Sequence, residues 1–295
     1  MEILVAKSAG FCFGVEKAIE SVYKEIETGK KPIYTFGPII HNEQVVEDLE
    51  EKGVSVIDTI EELKNLQSGS VVIRSHGVPK KIYDAIEKQN LEIVDATCPF
   101  VKKIHNIVKK ESEEGKKIVI IGNDNHPEVE GIKGWVVGEA IVIKDEEDIE
   151  KIDSFRNESI CIVSQTTFNY NKFKYLVEII TKKGYDINVV NTICNATHLR
   201  QVEAKEIASK VDAMIVIGGK NSSNTQKLYD ICKNECKDTY YIQTVSNLNL
   251  KNVDSLRSIG ITAGASTPKK IIEEVVLNVR DEFWTNVGWI IQDNS

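Results

Sequence analysis

Lys117-Ile118-Val119-Ile120-Ile121-Gly122 runs without a break into Asn123-Asp124-Asn125-His126-Pro127-Glu128. An unbroken β-branched run is what a strand covered on both faces requires, whereas a strand with one wet face would alternate polar and apolar residues. The glycine ends the strand, a polar loop follows, and Pro127 suits the first position of a helix, where no N–H is needed. Val71-Val72-Ile73-Arg74, Ile160-Cys161-Ile162-Val163-Ser164 and Ala213-Met214-Ile215-Val216-Ile217-Gly218 repeat the pattern, each leading into small residues and a helical stretch. The fold class that follows is α/β with mainly parallel sheets, and catalytic loops in such folds lie beyond the carboxyl ends of the strands.

The residues at those strand ends come in an order that repeats three times. A short strand-like run precedes each of Cys12, Cys98 and Cys194. After each cysteine come a helical stretch, a strand and a polar loop, containing His41, then His126, then Ser222-Ser223-Asn224. A further polar loop closes each repeat, containing His76, then Thr166, then Ser266. The expected architecture is three pseudo-threefold-related α/β units around a common centre. Their boundaries fall at 13–96, 97–193 and 194–282, leaving 283–295 as an unassigned tail. The third repeat runs out of chain before its last strand, so the N-terminal segment 1–12 is expected to complete it, with residues 2 to 5 pairing there.

Composition narrows the functions. The 295 residues are 41% hydrophobic and carry a formal net charge of −8, so the chain can bury ordinary cores but lacks the positive field that nucleic acid or an anionic membrane attracts. No stretch approaches the roughly 20 apolar residues of a membrane span, and no secretory leader is evident, so a cytoplasmic protein is expected. Six cysteines in such a compartment point to metal binding or catalysis before disulfides.

Cys12, Cys98 and Cys194 each sit at a strand-to-helix turn, where helix N–H groups and dipole favour a thiolate. Three such thiolates suit an iron-sulfur cluster with one iron left open, and buried inert thiols are the alternative. Cys161 reads as a core residue, Cys232 and Cys236 as inert thiols on one helix face, and His105 as a solvated face residue of a helix. In the loops, His126 could donate to an anionic oxygen while Glu128 delivers protons. Gly218-Gly219-Lys220-Asn221-Ser222-Ser223-Asn224-Thr225 could bring backbone N–H groups to phosphate oxygens, although its lysine is misplaced for a Walker loop. Many neutral donors and few fixed charges suit a small diphosphate.

Taken together, Gly10-Phe11-Cys12-Phe13-Gly14-Val15, Gly37-Pro38-Ile39-Ile40-His41-Asn42, Arg74-Ser75-His76-Gly77, Asp95-Ala96-Thr97-Cys98-Pro99, His126-Pro127-Glu128-Val129, Ser164-Gln165-Thr166-Thr167, Ser222-Ser223-Asn224 and Gly264-Ala265-Ser266-Thr267-Pro268 resemble the 4-hydroxy-3-methylbut-2-enyl diphosphate reductase (LytB/IspH) family. The resemblance spans about residues 1 to 282. It implies a 4Fe-4S cluster on Cys12, Cys98 and Cys194, Glu128 as proton donor, and Thr166 relaying protons near the substrate hydroxyl. It further implies that His41, His76, His126, Ser222, Ser223, Asn224 and Ser266 hold the diphosphate, and that a ferredoxin or flavodoxin supplies electrons. His198 and the tail, with Trp284 and Trp289, match no part of the family pattern. Three rivals remain at this point: another three-cysteine cluster enzyme similar to quinolinate synthase, a non-catalytic iron-sulfur carrier, and a structural zinc site.

Overall fold

The computed structural model describes residues 2–250 and 256–291, with side chains described as far as 281. The chain starts with β1 (Glu2–Val5) and then runs through three successive passes of one pattern. The first pass is α1 (Phe13–Thr28), β2 (Ile33–Phe36), α2 (Glu43–Glu51), β3 (Val54–Ile57), α3 (Ile60–Lys64), β4 (Ser70–Ile73), α4 (Lys80–Lys88) and β5 (Glu92–Asp95). The second is α5 (Pro99–Glu113), β6 (Lys117–Ile121), α6 (Pro127–Lys133), β7 (Ala140–Ile143), a 3₁₀ segment (Glu146–Phe155), β8 (Ile160–Ser164), α7 (Tyr170–Lys182) and β9 (Ile187–Val189). The third is α8 (Asn195–Ala208), β10 (Ala213–Ile217), α9 (Ser223–Glu235), β11 (Thr239–Ile242), a 3₁₀ turn (Val245–Asn247), β12 (Ser258–Ala263) and α10 (Lys269–Ile291).

Each pass builds one four-stranded, wholly parallel sheet, with orders β3-β2-β4-β5, β7-β6-β8-β9 and, for the last, β11-β10-β12-β1. The α/β class read from the sequence is therefore the fold observed. The inner strands β4, β6, β8 and β10 are buried along almost their whole length, as the β-branched runs require.

By compactness the chain falls into two units. The larger, Phe13–Cys194, contains the first two sheets; the smaller is formed by Met1–Cys12 with Asn195–Ser295. The two sheets of the larger unit are the basis on which we propose a further division at 96/97. In the smaller unit β1 lies against β12 in the register Glu2↔Ser258 to Val5↔Ile261, which is the partner expected of residues 2 to 5. The helix α10 carries the backbone through the stretch set apart as a tail, as far as Ile291; residues 292–295 and the side chains of Trp284 and Trp289 lie outside the described residues.

Loop chemistry repeats with the strands. Asn42, His126 and Ser222 cap α2, α6 and α9, each side chain accepting a backbone N–H of its helix. His105 departs from its expected place on a wet face: it is 3% exposed, stacked on Trp135 at a ring separation of 5.4 Å. Its ring fills the space beside Gly77, where an added Cβ would approach Cε1 of His105 to 2.6 Å. Helix periodicity placed His105 on α5 but could not show that α6 and the loop after β4 would cover that face.

The β1–β12 ladder gives a direct test. Ala6 N–H donates to the Ile261 carbonyl at 2.8 Å, so its amide is expected to exchange slowly in the folded protein, in step with the core amides of β12. Exchange within the dead time of a native-state experiment would show that the N-terminal strand is not held.

Candidate active site

In the larger unit, the polar loops after β2, β4, β6 and β8 bring together His41, His76, His126, Glu128 and Thr166. The three imidazoles form a triangle, with ring centres 4.4 Å apart for His41 and His76, and 5.7 Å from each to His126. Burial holds His41 below its ordinary pKa, with Arg74 adding to the effect. Burial likewise holds His76 well below its ordinary value, reinforced by the two neighbouring imidazoles and Arg74. Both are neutral at physiological pH. His126 Nδ1 accepts the Glu128 N–H at 3.1 Å, which places that ring's own proton on Nε2 in the neutral form. The Nδ1 of His76 is buried with no hydrogen-bond partner among the described residues, a donor or acceptor at hand for a bound group.

Glu128 is 2% exposed, at the start of α6. Burial raises its carboxyl pKa to about 7, against the opposing hydrogen bonds from Thr166. Thr166 N–H donates to Oε1 at 2.6 Å and its hydroxyl to Oε2 at 2.7 Å, so both carboxyl oxygens are fixed by a single residue. The result is a proton carrier held in one orientation and poised between its charged and neutral forms near pH 7.

Arg74, of the Arg74-Ser75-His76-Gly77 motif, lies near enough to His41 to lower its pKa. A Cβ at Gly37, whose φ is +71°, would lie 2.2 Å from Arg74 Nη1, so a glycine is what lets the guanidinium in. The strand pattern gave no hint of this, because the contact depends on two loops meeting.

Cys98 and Cys194 are half-buried at the ends of β5 and β9. The Cys98 N–H donates to the Ser75 carbonyl at 3.0 Å and the Cys194 N–H to the Thr166 carbonyl at 3.0 Å, one beside His76 and the other on the residue that grips Glu128. The space against Cys98 Sγ is kept by Gly14, where an added Cβ would come within 2.5 Å of the sulfur. Among the described residues no three His, Cys, Asp or Glu side chains converge closely enough to hold a single metal ion. A four-iron cube would make a different demand, no more than one thiolate to any iron, so its cysteines would be spread around it. Thiolate-only donors at strand-to-helix turns, with a glycine clearing the sulfur, fit that group. Cys161, Cys232 and Cys236 are buried, as expected of inert thiols, and burial pushes the first up to about 11 and the second to about 12.

The smaller unit has its own cluster of buried polar side chains. Ser222 Oγ caps α9 and accepts the Thr225 hydroxyl at 2.9 Å, and Ser266 Oγ reaches it at 3.5 Å. Asn224 is 4% exposed, and neither atom of its amide has a hydrogen-bond partner among the described residues. A buried amide left in this way costs about 1–3 kcal/mol unless something binds it. Cys12 is half-buried, and its N–H donates to the Ala265 carbonyl at 3.2 Å, the same bond that Cys98 and Cys194 make. His198 is half-buried on α8.

A family model described as LytB protein matches residues 3–280. The 4-hydroxy-3-methylbut-2-enyl diphosphate reductase of Caldanaerobacter subterraneus subsp. tengcongensis is 48% identical over 95% of this chain and 97% of its own length. The Clostridioides difficile protein of the same name is 46% identical over 94% and 98%. Among solved structures, the E-1-hydroxy-2-methyl-but-2-enyl-4-diphosphate reductase from Plasmodium falciparum matches with a TM-score of 0.89 at 29% identity, covering 94% of this chain and 87% of that one. A second solved (E)-4-hydroxy-3-methyl-but-2-enyl diphosphate reductase, the terminal enzyme of the non-mevalonate pathway, is 41% identical over 95% and 100%, with a TM-score of 0.70.

The titration of Glu128 sets a stability prediction. Its pKa in the folded protein, about 7, lies above the ordinary 4.5, so its contribution is fully present below pH 4.5 and is lost as pH rises through 7. Relative to Glu128→Gln, the cluster-free wild-type protein is expected to lose on the order of 3 kcal/mol across that window in denaturant titrations. A flat difference would mean that the carboxyl titrates normally.

Proposed function

Since the chain belongs to the LytB family, we propose that it reduces 4-hydroxy-3-methylbut-2-enyl diphosphate to isopentenyl and dimethylallyl diphosphate, the last step of non-mevalonate isoprenoid synthesis. The overall change removes an allylic hydroxyl as water and takes up two electrons and two protons. One proton leaves with the oxygen; the other ends on carbon, at either of two positions, which accounts for two products. The observation that carries this reading is Glu128: a buried carboxyl with a pKa of about 7, gripped at both oxygens by Thr166. It can hold a proton at neutral pH where water is excluded and give it up in a fixed direction.

The family works with an iron-sulfur cluster, and the motif cysteines Cys12, Cys98 and Cys194 are proposed to hold a 4Fe-4S form. When bound, that group would supply a Lewis-acidic iron and the route for electrons. The protein's own part is the rest. In the larger unit, His41, His76 and His126 are imidazole donors suited to diphosphate oxygens, which the net negative chain could not attract by its overall field. In the smaller unit, the orphaned amide of Asn224, with Ser222, Ser223 and Ser266, offers the same kind of donor at the start of α9. Thr166 would hold Glu128 in register with the substrate hydroxyl and help to pass its proton. A small carrier of the ferredoxin or flavodoxin type would bring the electrons. No described helix is long and apolar enough to cross a membrane, and a cytoplasmic location is proposed with the pathway.

The decisive experiment is anaerobic reconstitution with iron and sulfide, followed by paramagnetic resonance spectra with and without the diphosphate substrate and by product analysis. A cluster signal that shifts with substrate, and the two diphosphate products, are expected; a colourless protein or a signal blind to substrate would overturn the reading. Glu128→Gln is expected to keep cluster and diphosphate binding while kcat falls by about a hundredfold or more. Wild-type-like turnover would remove Glu128 from its role. Cys161→Ser, in the covered core of β8, is expected to leave cluster content unchanged, and loss of iron there would show that the ligand set has been miscounted.

A further inference from the structure

Of the three strands that lead to a cysteine, β5 and β9 are each joined through the preceding helix, α4 and α7, to the rest of their own sheet. β1 is not: it comes to its sheet from the opposite end of the chain, so no peptide connects it to α10. A four-residue edge strand that no short connection joins to its neighbour β12 is costlier to order than β5 or β9. The turn from β1 to Cys12 shares that cost, and a metal ligand has to be ordered.

The structure supplies a replacement for the missing tether. Glu203 on α8 takes the Lys7 N–H at 2.8 Å and the Ser8 N–H at 2.9 Å, and the Ser8 hydroxyl also donates to it. One turn earlier, Arg200, only 5% exposed, donates through Nη2 to the Gly10 carbonyl at 2.7 Å, while its Nη1 donates to Ala196 at 3.2 Å. These bonds join residues 190 or more apart in sequence. Burial would raise the Glu203 pKa, but the Ser8 and Lys7 bonds outweigh it and hold the carboxyl below its ordinary value. The approaches to the other two cysteines are fixed locally: Asp95 accepts the Thr97 N–H at 3.0 Å, and Asn191 the Ile193 N–H at 3.1 Å. Gly10, whose carbonyl Arg200 takes, lies at φ +103°, a backbone conformation in which any side chain would be strained.

We propose that Arg200 and Glu203 are positioning residues for Cys12: together they clamp residues 7–10, so that the thiolate is held where the cluster needs it. The assignment of Cys12 as a ligand rests on the function proposed above; the clamp itself does not. Charge-assisted bonds are the strong kind, and removing either group frees several backbone groups at once.

The test is site-resolved alkylation of the cluster-free, full-length protein under native conditions, with peptide mapping of Cys12, Cys98 and Cys194. In Glu203→Ala, and separately in Arg200→Met, the Cys12 rate is expected to rise about tenfold or more, with Cys98 and Cys194 unchanged as internal controls. Glu203→Gln keeps one acceptor oxygen and is expected to fall between wild type and Glu203→Ala. Cluster content after reconstitution should follow the same order. Unchanged Cys12 labelling in both variants would overturn the proposal, and so would a parallel rise at all three cysteines, which would mean general loosening. If the wild-type protein takes up no cluster, the proposed function fails, while the labelling still decides whether the clamp exists.

Discussion

One backbone hydrogen bond, made three times, organises this protein. The N–H of each candidate ligand cysteine donates to a carbonyl just beyond the strand beside it: Cys98 to Ser75, Cys194 to Thr166, Cys12 to Ala265. In a parallel sheet both strands end at the same side, so this bond ties the cysteine turn to the polar loop of its neighbour. Position of the sulfur and position of the binding residue are then set by the same piece of backbone. Thr166 shows the economy of it, since its carbonyl holds Cys194 while its N–H and hydroxyl hold Glu128.

Burial does the chemical tuning. The charged loop residues Asp124 and Lys220 are exposed, while desolvation holds the His41 and His76 pKa values down and lifts the Glu128 carboxyl toward neutrality. The His105–Trp135 stack behind Gly77 belongs to the packing that holds the loop of His76.

Circular use of the chain has a structural consequence. The third sheet takes its edge strand from the N-terminus, so the same cysteine turn that is covalently supported twice must once be supported by side chains. Opposite charges at Arg200 and Glu203 do this from α8.

The sequence alone carried the fold class, because β-branched runs ending in glycine and polar loops have few physical solutions other than parallel α/β. It also carried the threefold order of roles, and from that order the need for residues 2 to 5 to supply the third sheet's missing strand. The candidate residues His41, His76, His126, Glu128 and Thr166 were legible as loop residues at strand ends. Their chemistry was not, because a pKa near 7 for Glu128 depends on what covers it, and cover is a product of packing between elements distant in sequence. The same reason explains His105, whose helix face reads as wet until α6 closes over it. Nothing in the sequence singles out Arg200 and Glu203, because only the fold brings residues 7–10 to them, and only there do their charges have backbone to hold.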